Sequence, residues 1–360
     1  MTDRNRTSWH YLGLHIKCYI HRNHNAFLHS GCDGTLFKSH DLFCSEPTAL
    51  QIQLYCDDFN VNPLGNKVRT YKIGAFYFTL GNLHPCYRSK LYVMQLLCLC
   101  RSEVVKKFGL SSEEIQNKFD SDDFELRTEE AHRHHVESVQ LHPTLASTYG
   151  VTKDSPLNEL EYFNVVSGFP PDLAHDLFEG VVPEILTLCL KQFVLDDVCT
   201  LDVINNAFLN FPYQCSDKCS KPSVMSSELS QFKVKQTASQ TWCLLRLLPI
   251  MLGDVIPPGN QYFELILSLI AVVELICAPV QDGSTIALMK SKITDLLYLL
   301  RELFPDFTMK PKCHFLVHYS DLTMKYGPLS KCWTLRFKGK HSYFKQISRQ
   351  TKNMKNICLT

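Results

Sequence analysis

Two adjacent carboxylates, Asp57 and Asp58, close the alternating run LQIQLYCDDF. Carboxylate oxygens on a rigid element suit a hard cation such as Mg²⁺, and the end of a core strand is where α/β folds place ligands. The pair is half of a metal site or a solvated turn, and its partner must come from elsewhere in the chain. Histidine and cysteine are plentiful, 15 and 16 residues. Zinc sites, however, ask for two tight pairs of ligands. His132, His134 and His135 fall in an acidic stretch, and Cys215 and Cys219 have no histidine pair close behind, so no structural zinc is expected. His314 and His318 stand four residues apart in PKCHFLVHY, the spacing of a shared helical face, although a strand with packed histidines fits the string equally well. The phosphate-cradling G-x-x-x-x-G-K-[ST], the G-x-S-x-G elbow and the G-x-G-x-x-G turn are all missing from the sequence. Nothing singles out a cysteine nucleophile.

These groups are carried by a chain of 360 residues and 41.4 kDa, 45% hydrophobic and 20% charged, which is the composition of a globular protein with a sizeable core. With 37 basic and 36 acidic side chains the net charge is +1, so any pull towards nucleic acid has to be local. The cysteines are spread thinly, and the opening MTDRNRTSWHYLGLHIKCYIHRN holds no apolar stretch of signal length. Reduced thiols in a nuclear or cytoplasmic protein, not a secreted one, are expected. The long apolar run from Tyr262 to Val280 contains Glu264 and Glu274, which predicts a buried helix and no membrane span.

Strand patterns fill the first third. Leu50, Ile52, Leu54 and Cys56 alternate with polar partners, which predicts that their face lies on a core. After the turn-like VNPLGN, the run YKIGAFYFTL is apolar on both faces, as a central strand requires. The next string, SKLYVMQLLCLCRSEVVKKFG, reads as a helix stopped by Gly109. Between Ser111 and Glu137 lie nine acids (Glu113, Glu114, Asp120, Asp122, Asp123, Glu125, Glu129, Glu130, Glu137) and three bases, a solvated junction. From about Pro170 the helical period dominates. Ile286, Met289, Ile293, Leu296, Leu300 and Leu303 form one stripe behind a Ser284 cap and end before Pro305. From Leu322 onward no acid occurs, while Lys325, Lys331, Arg336, Lys338, Lys340, Lys345, Arg349, Lys352 and Lys355 are basic. Trp333, Phe337, Tyr343 and Phe344 are interleaved with them, a mixture that suits phosphate contact and base stacking. A basic amphipathic helix with inward-packed aromatics has the same pattern.

Five strings taken in order carry a resemblance: LQIQLYCDDFNVNPLG with KIGAFYFTLGNL, SPLNELEYFNVVSGFPPDLAHDLFEGVVPE, QTWCLLRLLPIMLGD, and PKCHFLVHYSDLTMKYGPLSKCWTLRFKGKHSYFK. From about Cys32 onward the chain resembles the transposases of animal CACTA (EnSpm-like) DNA transposons. The resemblance implies an α/β chain with a ribonuclease H-like DDE core interrupted by a large helical insertion. In such enzymes three carboxylates hold two divalent metals for in-line attack on a phosphodiester. The first acid falls on Asp57. The family's second acid lies in a long segment with a Cys-x-x-Cys pair, of which only about a dozen residues, Leu110 to Asp123, correspond here. The third acid's position, in WTLRFKGKH, is held by Lys338, whose ammonium repels Mg²⁺. Asp172, His175 and Asp176 in PPDLAHDLFEG are a family hallmark. Asp172 reads as a helix cap, and a structural role is favoured for these three and for His314, His318 and Trp333.

The organisation expected is therefore residues 1–110 as the N-terminal part of the core, 111–160 as an acidic junction with a deletion, 161–310 as the helical insertion, and 311–360 as the C-terminal part of the core with its basic tail. The reading is a truncated, degenerate and catalytically inactive transposase relative. It is expected to need no cofactor where the ancestral enzyme used Mg²⁺, and to bind DNA weakly and without sequence preference through Lys331, Arg336, Lys338, Lys340, Lys345 and Arg349. Two alternatives stand beside it: an active metal-dependent transposase or nuclease using Asp57 with substitute acids from residues 120–125, and a transposon fragment without function.

Overall fold

The computed structural model describes residues 6–11, 14–19, 27–46, 49–61, 71–83, 85–88, 90, 93–101, 117–124, 126–225 and 232–335, with 337, 338, 341, 346 and 350 beyond them. It is a mixed α/β structure. A hairpin of β1 (Arg6–Tyr11) and β2 (Leu14–Tyr19) precedes a three-stranded antiparallel sheet of β3 (Ile52–Val61), β4 (Tyr71–Leu80) and β5 (Gln95–Arg101) in that spatial order. The YKIGAFYFTL strand is central, as its two apolar faces require.

Three local expectations are corrected. The alternation in LQIQLYCDDF is real but the faces are reversed: Ile52 and Leu54 are 64% and 51% exposed, whereas Tyr55 and Phe59 are 7% and 3%. Tyr55, Phe59, Ala75, Tyr77 and Met94 form the inner cluster with Phe337. Aromatic rings bury more area per residue than Ile or Leu and decide which face turns in. Asp57 and Asp58 lie in mid-strand, opposite Ala75 and Gly74, rather than at the strand end. The string QLLCLCR is β5, hydrogen-bonded to β4, where a helix was expected. A short apolar run does not distinguish the two by period alone, and the open edge of β4 selects the strand.

Helices build the rest: α1 (Glu129–Leu141), α2 (Val182–Leu195), α3 (Leu201–Asn210), α4 (Ala238–Leu252), α5 (Gln261–Cys277), α6 (Gly283–Leu303), α7 (Pro311–Val317) and α8 (Tyr319–Tyr326). A π-helical segment, Ala174–Val181, runs into α2. The apolar stripe of α6 is buried as predicted, but Asp282 caps it, accepting from the Thr285 amide, and Ser284 lies inside the helix. Helix α5 buries Leu265, Ile266, Leu269, Val272, Val273 and Ile276. No helix among the described residues is long and apolar enough to cross a membrane. The acidic stretch is not wholly solvated: Phe119 is buried against Tyr298 of α6, and Glu129–Leu141 is helical.

The helical core and the sheet cluster are separate. The segment after α8 links them, since Trp333 and Leu335 pack on the helical core and Phe337 on the sheet. Trp333 meets Trp242 edge-on, at 5.1 Å between ring centroids, and Trp242 stacks on Phe178 at 5.4 Å.

Candidate functional site

Three elements meet at Asp57. Strand β3 carries it in mid-strand between Tyr55 and Phe59, the two buried residues of the inner face. The π-helical segment supplies His175 and Glu179, four residues apart, and Asp172 stands just before it. The third element is the segment after α8, with Thr334, Lys338 and His341.

Asp172 is the organiser. Its Oδ1 accepts from the Ala174 amide at 3.2 Å and from the Thr334 amide at 2.9 Å, while its Oδ2 takes the Thr334 hydroxyl and His175 Nδ1. The predicted cap is therefore present, and the same carboxylate ties the π-helical segment to the C-terminal one. With Nδ1 held, His175 Nε2 faces Asp57 Oδ1 at 3.8 Å and Glu179 Oε2 at 3.7 Å. The hydrogen bond to Asp172 raises the His175 pKa above its ordinary value against the effects of burial and of Lys338. Burial works to raise the Asp172 carboxyl, but bonds from His175 and Thr334 outweigh it and hold the pKa low.

Lys338 places its ammonium on Glu179 Oε1. His341, buried among Tyr55, Phe59 and Tyr77, approaches Asp57 Oδ2 through Nδ1 at 3.8 Å. Asp176 points the other way, into the helical core, where the hydroxyl of fully buried Tyr319 donates to Oδ2 at 3.1 Å. Burial raises the Asp176 carboxyl pKa in spite of that bond and of nearby Lys312. The Lys312 ammonium donates to the His175 and Glu179 carbonyls.

The other sequence candidates lie apart from this cluster or in other contacts. His314 and His318 face each other, Nε2 to Nε2 at 3.1 Å, on α7 and its C-terminal residue, with Phe124 edge-on to both. Asp120 and Asp122, offered as substitute acids, pair instead with Lys290 at 2.9 and 3.1 Å. His135 stacks on Tyr149, and Cys215 and Cys219 are exposed thiols in a 3-10 turn. Phe337 is buried in the sheet cluster and Trp333 is half-buried against the helical core. Lys331 sits at the end of a 3-10 turn, while Arg336, Lys340, Lys345, Arg349, Glu125, Tyr343 and Phe344 lie outside the described residues.

Sequence reasoning did not single out Glu179, Thr334, His341 or Lys312. Glu179 was within reach, since it lies four residues from His175 on one helical face in HDLFEG; the other three are brought in only by tertiary packing. The donor set around Asp57 is two imidazoles, an ammonium and carboxylates already committed to them. It does not fit a pair of Mg²⁺ ions, which need several uncommitted carboxylate oxygens. Among the described residues no three His, Cys, Asp or Glu side chains are arranged to hold a metal ion. No protein-family model matches the chain, and no curated protein matches its sequence.

Proposed function

We propose that this chain is a transposase-derived protein of the CACTA type that has lost phosphoryl-transfer chemistry and retains weak, non-specific DNA binding through its basic C-terminal stretch. On this reading β3, β4 and β5 are part of a ribonuclease H-like core and the helical body is its insertion. The observation that carries the reading is the Lys338 ammonium on Glu179, a carboxylate that shares the His175 ring nitrogen with Asp57, the residue expected to be the first catalytic acid. Two-metal chemistry needs negative charge at the metals; here an ammonium already occupies a carboxylate of the same cluster.

The test has two arms on the full chain. With Mg²⁺ or Mn²⁺ the protein should neither nick nor join DNA bearing a transposon end, and metal-dependent cleavage abolished by Asp57→Ala would overturn the loss of chemistry. Duplex DNA should bind with an affinity that falls with salt, each phosphate contact adding about one unit to the slope of log affinity on log salt. Binding independent of salt, or none, removes the DNA-binding half.

A further inference from the structure

Three carboxylates, Asp57, Asp172 and Glu179, are gathered on His175, and the Lys338 ammonium pairs with Glu179 at the edge of the cluster. None of these side chains is fully solvated: Asp57 and Asp172 are 18% and 20% exposed, Glu179 35% and Lys338 24%. Like charges brought together at partial burial repel one another more than in water, and the cluster needs cations of its own. His175 and His341 supply imidazoles, and Lys338 supplies a permanent charge. Its position also matters. Glu179 belongs to the π-helical segment beside the helical core, whereas Lys338 follows Phe337, which is seated in the sheet cluster.

We infer that Lys338 is an internal counter-cation: its ammonium does the structural work of a divalent ion, closing the carboxylate cluster and clasping the sheet to the helical body without metal. The inference uses only the present geometry and stands whether or not the chain descends from a transposase. It goes beyond loss of activity, because it gives Lys338 a positive role that a merely decayed position would lack.

The experiment is thermal unfolding and calorimetric titration with Mn²⁺ on the full-length parent, Lys338→Met, Lys338→Glu and Lys338→Glu/Asp57→Asn. The parent should bind no Mn²⁺ at millimolar concentration, and its Tm should be unmoved by the ion. Lys338→Met, similar in length but uncharged, should melt several degrees lower, and Lys338→Glu lower still. Mn²⁺ should restore much of the Tm of Lys338→Glu, and the added Asp57→Asn should abolish that rescue. Mn²⁺ uptake by the parent, a Lys338→Met that melts with the parent, or a destabilised Lys338→Glu that Mn²⁺ leaves unchanged would each overturn the inference. If Lys338→Glu fails to fold, the parent's response to Mn²⁺ and the Lys338→Met comparison still decide it.

Discussion

His175 and Asp176 show how one short string serves two environments. His175 is bonded through Nδ1 to Asp172 and faces two further carboxylates, so its charged form is favoured. A group whose folded pKa is raised contributes stability that is complete below its unfolded value, near 6.5, and is lost as pH rises through the folded pKa. His175→Gln should therefore cost roughly 1 kcal/mol at pH 6, discounted for its solvent contact, and the gap from the parent should narrow as pH rises. Urea midpoints at several pH values check this, and a gap that widens with pH refutes it. On the acid side Asp172 acts oppositely: its folded pKa is lowered, so its contribution fades as pH falls below about 3.8. On the core side of the same segment, buried Asp176 receives its donor from Tyr319, the first residue of α8. Tyr319→Phe should cost roughly 1–3 kcal/mol, because it strands a carboxyl in the core; a Tm equal to the parent's would show that another donor takes over.

Elements are held in place by a few backbone contacts that allow no side chain. Gly327 ends α8 at φ +75°, and a Cβ there would lie 2.2 Å from the Ser30 carbonyl oxygen; a Cβ on Gly34 would lie 2.4 Å from the Lys325 carbonyl oxygen. The turn at residues 30–34 and the end of α8 thus interlock through backbone. Gly327→Ala should cost about 3 kcal/mol. Gly259→Ala, at φ +77° in open space, should cost about 1 kcal/mol, and equal losses in denaturant titrations would deny the interlock. None of this was legible in the sequence. Long apolar patterns were legible: the run read as a buried helix is α5, and α6 buries the stripe its period selects as far as Leu300. The strand alternation was legible but not which side turns in, since Ile52 and Leu54 lost the core to Tyr55, Phe59 and Tyr77. Asp57 was legible as a chemical residue. The groups around it were not, because His341 approaches it, and Lys338 the neighbouring Glu179, from the far end of the chain.

At the scale of the whole molecule the two cores set the order of unfolding. The helical core draws on α2 to α8, and many of its side chains are fully buried. The sheet cluster is small, its outer face shows Ile52, Leu54 and Leu97 at half exposure or more, and among the described residues β3 and β5 are edge strands. Among the described residues, Phe337 and the charged groups around Asp57 help to join the sheet to the body. Stability should therefore be uneven. Amides of β3, β4 and β5 should exchange through openings that leave α2, α5 and α6 protected, and thermal unfolding should be broad rather than two-state. Phe337→Ala should cost the sheet about 3 kcal/mol, from a truncated aromatic at the centre of a small cluster. Helical circular dichroism should barely move, because the helices close over their own core, and exposure of Ile52 and Leu54 on a loosened sheet should make the variant aggregate sooner. Hydrogen exchange by mass spectrometry separates the outcomes: uniform protection of strands and helices, lost together in Phe337→Ala, would mean that the two cores fold as one unit.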